Sequence, residues 1–208
     1  ADLARRVAIP TESQAPEGFP HLQRYLDEEM IPAFEKMGFS CKVYPNPRPG
    51  AGPVLLATRT EDAGLPTVLG YGHGDVIRGL EDQWTKGAGP WKTARDGERL
   101  YGRGTADNKG QHSINLTALE QVLKARDGRL GFNLKLLFEM GEEAGSPGLR
   151  QLCQEQRELL RADVFIASDG PRLNQTRPTL FLGSRGSAQF RLEVNTRDKG
   201  LHSGNWGG

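Results

Sequence analysis

Three short apolar runs constrain this chain more than any other feature. Each stops at a small residue and is followed at once by side chains able to bind a metal or move a proton. "PTVLGYG" leads into His73 and Asp75, "FNLKLLFEMG" into Glu142 and Glu143, and "DVFIAS" into Asp169. Apolar runs of this length, bounded by glycine or proline, read as buried strands. Helical patterns lie between them, so strands alternate with helices. That order predicts an α/β fold with a mostly parallel central sheet flanked by helices. Open sheets of this kind bind ligands beyond the carboxyl ends of their strands. If the three runs are parallel neighbours, one histidine and several carboxylates meet at one edge.

The other segments fit this plan. "PHLQRYLDEEMIPAFEKMGF" has Leu22, Leu26, Met30, Phe34 and Met37 at helical spacing, with a kink or break expected at Pro32 and a stop at Gly38. "FSCKVYP" and "GPVLLATRT" read as strands. The stretch from Glu81 to Gly110 is mostly loop, and "ARDGERLYGRG" within it is a basic, turn-rich hairpin with a short strand near Arg99 to Tyr101. "QHSINLTALEQVLKARDG" is a helix with Ile114, Ala118, Val122 and Ala125 on one face and Gly128 at its end. "SPGLRQLCQEQRELL" is a helix with Ser146 as N-cap and Pro147 at its first position. "SAQFRLEVN" alternates strictly, as a half-exposed antiparallel strand does. The change of pattern divides the chain into a domain over residues 1–183 and the beginning of a second over 184–208.

Composition excludes several classes. Lys plus Arg number 27 against 26 Asp plus Glu, a formal charge of +1. Bulk charge therefore recruits neither nucleic acid nor a membrane surface. No run approaches the roughly 18 apolar residues of a membrane span. "ADLARRVAIPTES" lacks the apolar stretch of a secretory signal. Cys41 and Cys153 are far apart with no CxxC partner, which predicts reduced, buried thiols in a cytoplasmic protein.

The strand-end residues have a shared chemistry. Imidazole nitrogen and carboxylate oxygen suit a divalent ion such as zinc. A carboxylate can bridge two metals, and a metal pair is a recurring device for hydrolysis. Asp107, from the glycine-rich "GRGTADNKG", can join the group just before a helix. Asp75 can accept the second ring N–H of His73 and fix its tautomer. Adjacent Glu142 and Glu143 allow one to bind metal and the other to take a proton from water. Acidic residues at strand ends are also common without any metal. These residue types alone point to a metal site and name no reaction. Trp84 and Trp91 are assigned to packing of the long loop.

Taken together, "GHGD", "LYGRGTADNKG", "EMGEEAGS", "SDG" and "LHSGNWGG", in this order and spacing, resemble the co-catalytic zinc peptidases of the carboxypeptidase G, aminoacylase and carnosine dipeptidase family. The likeness covers roughly residues 50 to 208 and is strongest to the carnosinase and non-specific dipeptidase branch. It implies a zinc-exopeptidase fold followed by the start of an α+β lid domain. It also implies hydrolysis of a small peptide's amide bond, at a dipeptide-type substrate, by a water bridging two Zn2+ ions, with Mn2+ an alternative metal. His73 and Asp169 then resemble ligands of the first metal, Glu143 a ligand of the second, and Asp107 the bridging carboxylate. The resemblance implies a cis peptide between Asp107 and Asn108. Asp75 resembles the residue orienting His73, and Glu142 the general base. His202 resembles a lid histidine that stabilises the oxyanion in the neighbouring subunit of a homodimer.

One departure stands out. The family's second metal takes a further histidine from a segment after the lid, and its catalytic domain resumes there. His112 lies on a predicted helix and is assigned a structural role. The sequence thus reads as the N-terminal portion of such an enzyme, with weak or no activity expected from these residues alone. The alternatives are a deacylase of N-acyl amino acids with the same metal core, and an inactive fragment. Arg185 is left as a hinge residue or a substrate contact.

Overall fold

In a computed structural model of the chain, the described residues are 1–170, 173–174, 176–183, 186, 188, 190–194 and 204. Two units separate, 1–170 and 171–208. His202 and Arg185 lie outside the described residues, as does part of "SAQFRLEVN"; its described residues carry no strand.

The first unit is built on a five-stranded sheet with the order β1-β2-β6-β3-β7. Its strands are β1 (Ser40–Tyr44), β2 (Val54–Arg59), β3 (Thr67–His73), β6 (Asn133–Glu139) and β7 (Val164–Ala167). A hairpin of β4 (Ala94–Asp96) and β5 (Arg99–Tyr101) stands apart, as the turn-rich sequence predicts. The sheet is mixed rather than mostly parallel. β3 is parallel to β6 and to β7, whereas β2 is antiparallel to β1 and β6. The reason lies in the connections. Parallel neighbours need a long crossover, usually helical. Helix α4 (Lys109–Ala125) falls between β3 and β6, and α5 (Leu149–Glu155) between β6 and β7. No helix separates β1, β2 and β3, so the chain doubles back there.

Both faces of the sheet are covered. One packs Leu55, Ala57, Leu134 and Phe138 against Leu22, Leu26, Met30 and Phe34. The other packs Val54, Leu56 and Leu137 against Leu152 of α5. The helical segment before β1 begins at α2 (Phe19–Tyr25), loosens into a π-helical turn at Leu26–Met30, and resumes as α3 (Ile31–Lys36). Pro32 sits in the first turn of α3, where its missing N–H costs little; the π turn absorbs the irregularity. All five residues of the predicted apolar face are buried. α1 (Asp2–Ala8) precedes this segment and packs against α4. Among the described residues no helix is long and apolar enough to cross a membrane.

Four local expectations are corrected. Ile114, Ala118, Val122 and Ala125 face outward on α4; His112, Leu116, Leu119 and Leu123 turn toward the core instead. Ser146 does not cap α5. It adopts φ 50° and gives its hydroxyl to the buried Glu139 carboxylate (2.9 Å), while the left-handed Gly148 precedes the helix. β7 is exposed rather than buried, because it forms an edge of the described sheet. Cys41 and Cys153 are free thiols, as expected, but only half-buried.

The two glycines around His73 differ in what surrounds them. A Cβ on Gly74 would lie 2.7 Å from Met140 Sδ, 2.7 Å from Phe138 Cε1 and 2.9 Å from Tyr25 Cε1. These side chains are themselves buried and have little room to give. A Cβ on Gly72 would meet nothing closer than 3.4 Å. Gly74→Ala is therefore expected to lower unfolding free energy by about 1–3 kcal/mol through overpacking. Gly72→Ala should change it much less, and urea denaturation of the two variants checks the contrast.

Candidate metal centre

The parallel part of the sheet places its strand ends side by side. His73 closes β3 opposite Glu139 of β6, and β7 leads to Asp169 on the other side of β3. Asp107 arrives from the loop before α4, and the Asp107–Asn108 peptide is cis.

His73 is fully buried and centres the group. Its Nε2 lies 2.9 Å from Asp107 Oδ1, 3.8 Å from Asp169 Oδ2 and 4.0 Å from Glu142 Oε2. Ligand atoms of His73, Asp107 and Asp169 all fall within 4.8 Å of one another. Asn108 Nδ2 donates to Asp169 Oδ1 at 3.0 Å and to the Ser168 carbonyl at 3.2 Å, which holds the Asp169 carboxylate toward the histidine.

Asp75 sits behind the histidine and is also fully buried. His73 Nδ1 is 3.1 Å from the Asp75 carbonyl and 3.3 Å from its Oδ1. The same carboxylate accepts the backbone N–H groups of Glu142 (3.1 Å) and Glu143 (3.0 Å) and the Ser13 hydroxyl (2.6 Å). The Glu143 carboxyl is not part of the three-residue group, though its backbone is fixed beside it. His112 lies behind the site in the core. Its Nε2 is 2.6 Å from Tyr25 Oη, and its ring packs edge-on to Phe138. Burial, aided by Arg6 and Lys109, pushes its pKa well down, so it stays neutral.

Crowded acids shape the electrostatics. Burial opposes the charge on His73, but the Asp75 hydrogen bond and the Asp75, Asp169 and Asp107 charges outweigh it and raise its pKa to about 9. Burial, then the Asp107 charge, lifts Glu143 to about 7. Burial also raises Glu142 and Asp169. A half-enclosed group of one imidazole and several carboxylates suits a divalent cation. Ligands about 2.0–2.1 Å from zinc stand roughly 3.3 Å apart around a tetrahedron. The 2.9 and 3.8 Å separations from His73 Nε2 bracket that value, so the donor set fits.

Sequence reasoning passed over several residues that build the site. Ser13 lies in "IPTES", Glu139 and Tyr71 inside apolar runs, and Lys109 two residues after Asp107. Glu139 accepts Tyr71 Oη–H at 2.6 Å. Lys109 is fully buried and gives its ammonium to the carbonyls of Arg6 (2.9 Å) and Ile9 (2.7 Å). An acid at a buried strand position was the one available signal, for Glu139. The others are ordinary polar residues in sequence.

Residues 69–200 match the profile of peptidase family M20/M25/M40, so the chain belongs to that family of metallopeptidases. It is 36% identical over 159 residues to Beta-Ala-His dipeptidase of Mus musculus, an alignment covering 75% of this chain and 32% of the relative. It is 36% identical over 156 residues to Cysteinylglycine-S-conjugate dipeptidase of Corynebacterium striatum, covering 74% of this chain and 33% of the relative. The crystal structure of human carnosine dipeptidase 1 superposes with a TM-score of 0.73 at 28% identity, over 81% of this chain and 37% of that one. The chain thus spans about a third of the length of the relatives it matches.

The raised His73 pKa sets a sign for metal binding. A ligating imidazole nitrogen must be proton-free. Zn2+ affinity is expected to rise as pH climbs toward about 9, with protons released on binding. The metal-free protein runs the other way: stabilisation from charged His73 is complete below the ordinary value of 6.5 and is lost as pH rises through about 9. Calorimetric titration in buffers of different ionisation enthalpy measures the proton release.

Proposed function

We propose that this chain carries the N-terminal part of a metal-dependent peptidase that hydrolyses the amide bond of a dipeptide-type substrate. The observation that supports it most is the convergence of His73, Asp107 and Asp169, with Glu142 4.0 Å from His73, at the strand ends of an M20-family chain. The relatives' names support dipeptides as the substrate class. On this reading residues 1–183 belong to the catalytic domain and 184–208 begin a lid and dimerisation domain.

His73 and Asp169 would hold one divalent ion, Glu143 would contribute to a second, and Asp107 would bridge them; Zn2+ is the proposed metal, with Mn2+ a substitute. When bound, such ions polarise the scissile carbonyl and acidify water. Asp75 keeps Nε2 of His73 directed into the site by engaging Nδ1. Glu142 takes the proton of the attacking water as the C–O bond forms, then delivers it to the leaving amine as the C–N bond breaks. Its raised pKa, caused by burial, suits a group that must both accept and return a proton. The proposal gives His202 the stabilisation of the oxyanion across a dimer interface.

Glu142→Gln is expected to lower kcat by roughly 10^2–10^4-fold, the usual weight of a general base, with Zn2+ affinity little changed. The assay sets dipeptides beside N-acyl amino acids, using the Zn2+- or Mn2+-loaded 208-residue chain and any longer protein that contains it. Retained turnover in the variant would remove Glu142 from this role. Turnover of acyl amino acids alone would replace the dipeptidase by a deacylase, and metal-free chains throughout would leave a non-catalytic fragment.

A further inference from the structure

We propose that Ser13 is a positioning residue of the metal centre: through the Asp75 carboxylate it sets the backbone of Glu142 and Glu143 and the seating of His73. The inference rests on the reading of these residues as a metal centre.

Ser13 is remote in sequence, 62 positions from Asp75, and its hydroxyl reaches Asp75 Oδ2 at 2.6 Å in a buried setting. Oδ2 also accepts the Glu143 N–H, at 3.0 Å. Oδ1 accepts the Glu142 N–H at 3.1 Å and lies 3.3 Å from His73 Nδ1. One carboxylate therefore divides its oxygens among a histidine, two successive amides and one hydroxyl. Rotation about its Cβ–Cγ bond would spoil all of these contacts together. Ser13 is the one side-chain hydroxyl among these partners, and it holds the oxygen other than the one nearest the histidine.

The segment carrying Ser13 is itself anchored on two sides. Thr11 Oγ1 donates to the Gly74 carbonyl (2.7 Å), and the Val76 N–H donates to the Thr11 carbonyl (2.9 Å). Gln14 Nε2 donates to the Glu143 carbonyl at 2.7 Å. From the other direction, the Lys109 ammonium holds the carbonyls of Arg6 and Ile9, and Lys109 stands two residues after Asp107. The N-terminal segment thus braces the site residues while offering no metal ligand of its own. Removing the Ser13 hydroxyl leaves Oδ2 with one donor fewer in a buried place and removes the contact that holds the carboxylate against rotation.

The test compares Ser13→Ala with Thr117→Val, which removes a hydrogen bond within α4 (Thr117 Oγ1 to the Ser113 carbonyl, 2.9 Å) that involves neither Asp75 nor its partners. Amide 1H–15N signals of the metal-free 208-residue chain are recorded first. Ser13→Ala is expected to displace the Glu142 and Glu143 signals, Ser13→Thr to restore them, and Thr117→Val to leave them in place. Calorimetric titration with Zn2+ alone follows; loss of a residue that orients ligands should weaken affinity about 10-fold or more in Ser13→Ala, and not in Thr117→Val. Unmoved amide signals in Ser13→Ala, or equal displacement in Thr117→Val, would overturn the positioning role. If Ser13→Ala does not fold, Ser13→Cys, which keeps the shape with a weaker donor, replaces it. A wild-type chain that takes up no Zn2+ overturns the metal-centre reading instead, and the amide signals still decide the role of Ser13.

Discussion

The arrangement depends on one buried carboxylate, that of Asp75. Burying a carboxylate is costly unless donors surround it. Here the donors come from three separate parts of the chain: Ser13 near the start, His73 at the end of β3, and the amides of Glu142 and Glu143 after β6. Satisfying the one group therefore draws these parts together. A second buried acid, Glu139, serves the far end of the same turn by accepting from Tyr71 and Ser146. The turn that presents Glu142 and Glu143 is thus held at its start by Asp75 and at its end by Glu139. Ser146 keeps a left-handed backbone, φ 50°, within that closure.

The same convergence creates a charge imbalance. The Asp75 hydrogen bond and the charges of Asp75, Asp169 and Asp107 outweigh burial and let His73 hold its proton to about pH 9, while burial and the Asp107 charge lift Glu143 to about 7. Lys109, though close in sequence, does not offset this charge by contact: its ammonium is directed to the carbonyls of Arg6 and Ile9, and burial pulls its pKa to about 7. A divalent cation would relieve the crowding and displace the proton, which links the electrostatics of the site to its proposed chemistry.

Much of this was legible in the sequence. Apolar runs ending in Gly72, Gly141 and Ser168 placed the strand ends, and the glycine-rich loop placed Asp107. The family resemblance also anticipated the cis peptide at Asp107–Asn108. Strand direction was less legible, because periodicity marks a strand but not its partner; the helix-free links around β2 decided the mixed sheet. The outward turn of Ile114 and Val122 on α4 was hidden because Leu116, Leu119 and Leu123 give an equally helical stripe. Ser13 and Lys109 were invisible as site residues, since their partners lie 62 and about 100 positions away. Long-range hydrogen bonds leave no local pattern.

Anomalous diffraction at the zinc edge, from crystals of the chain grown with Zn2+, tests the central claim most directly. The account predicts a peak about 2.0–2.2 Å from His73 Nε2 and from carboxylate oxygens of Asp107 and Asp169. Zinc bound only elsewhere, or density that leaves His73 Nε2 hydrogen-bonded to Asp107 with no ion beside it, would contradict it.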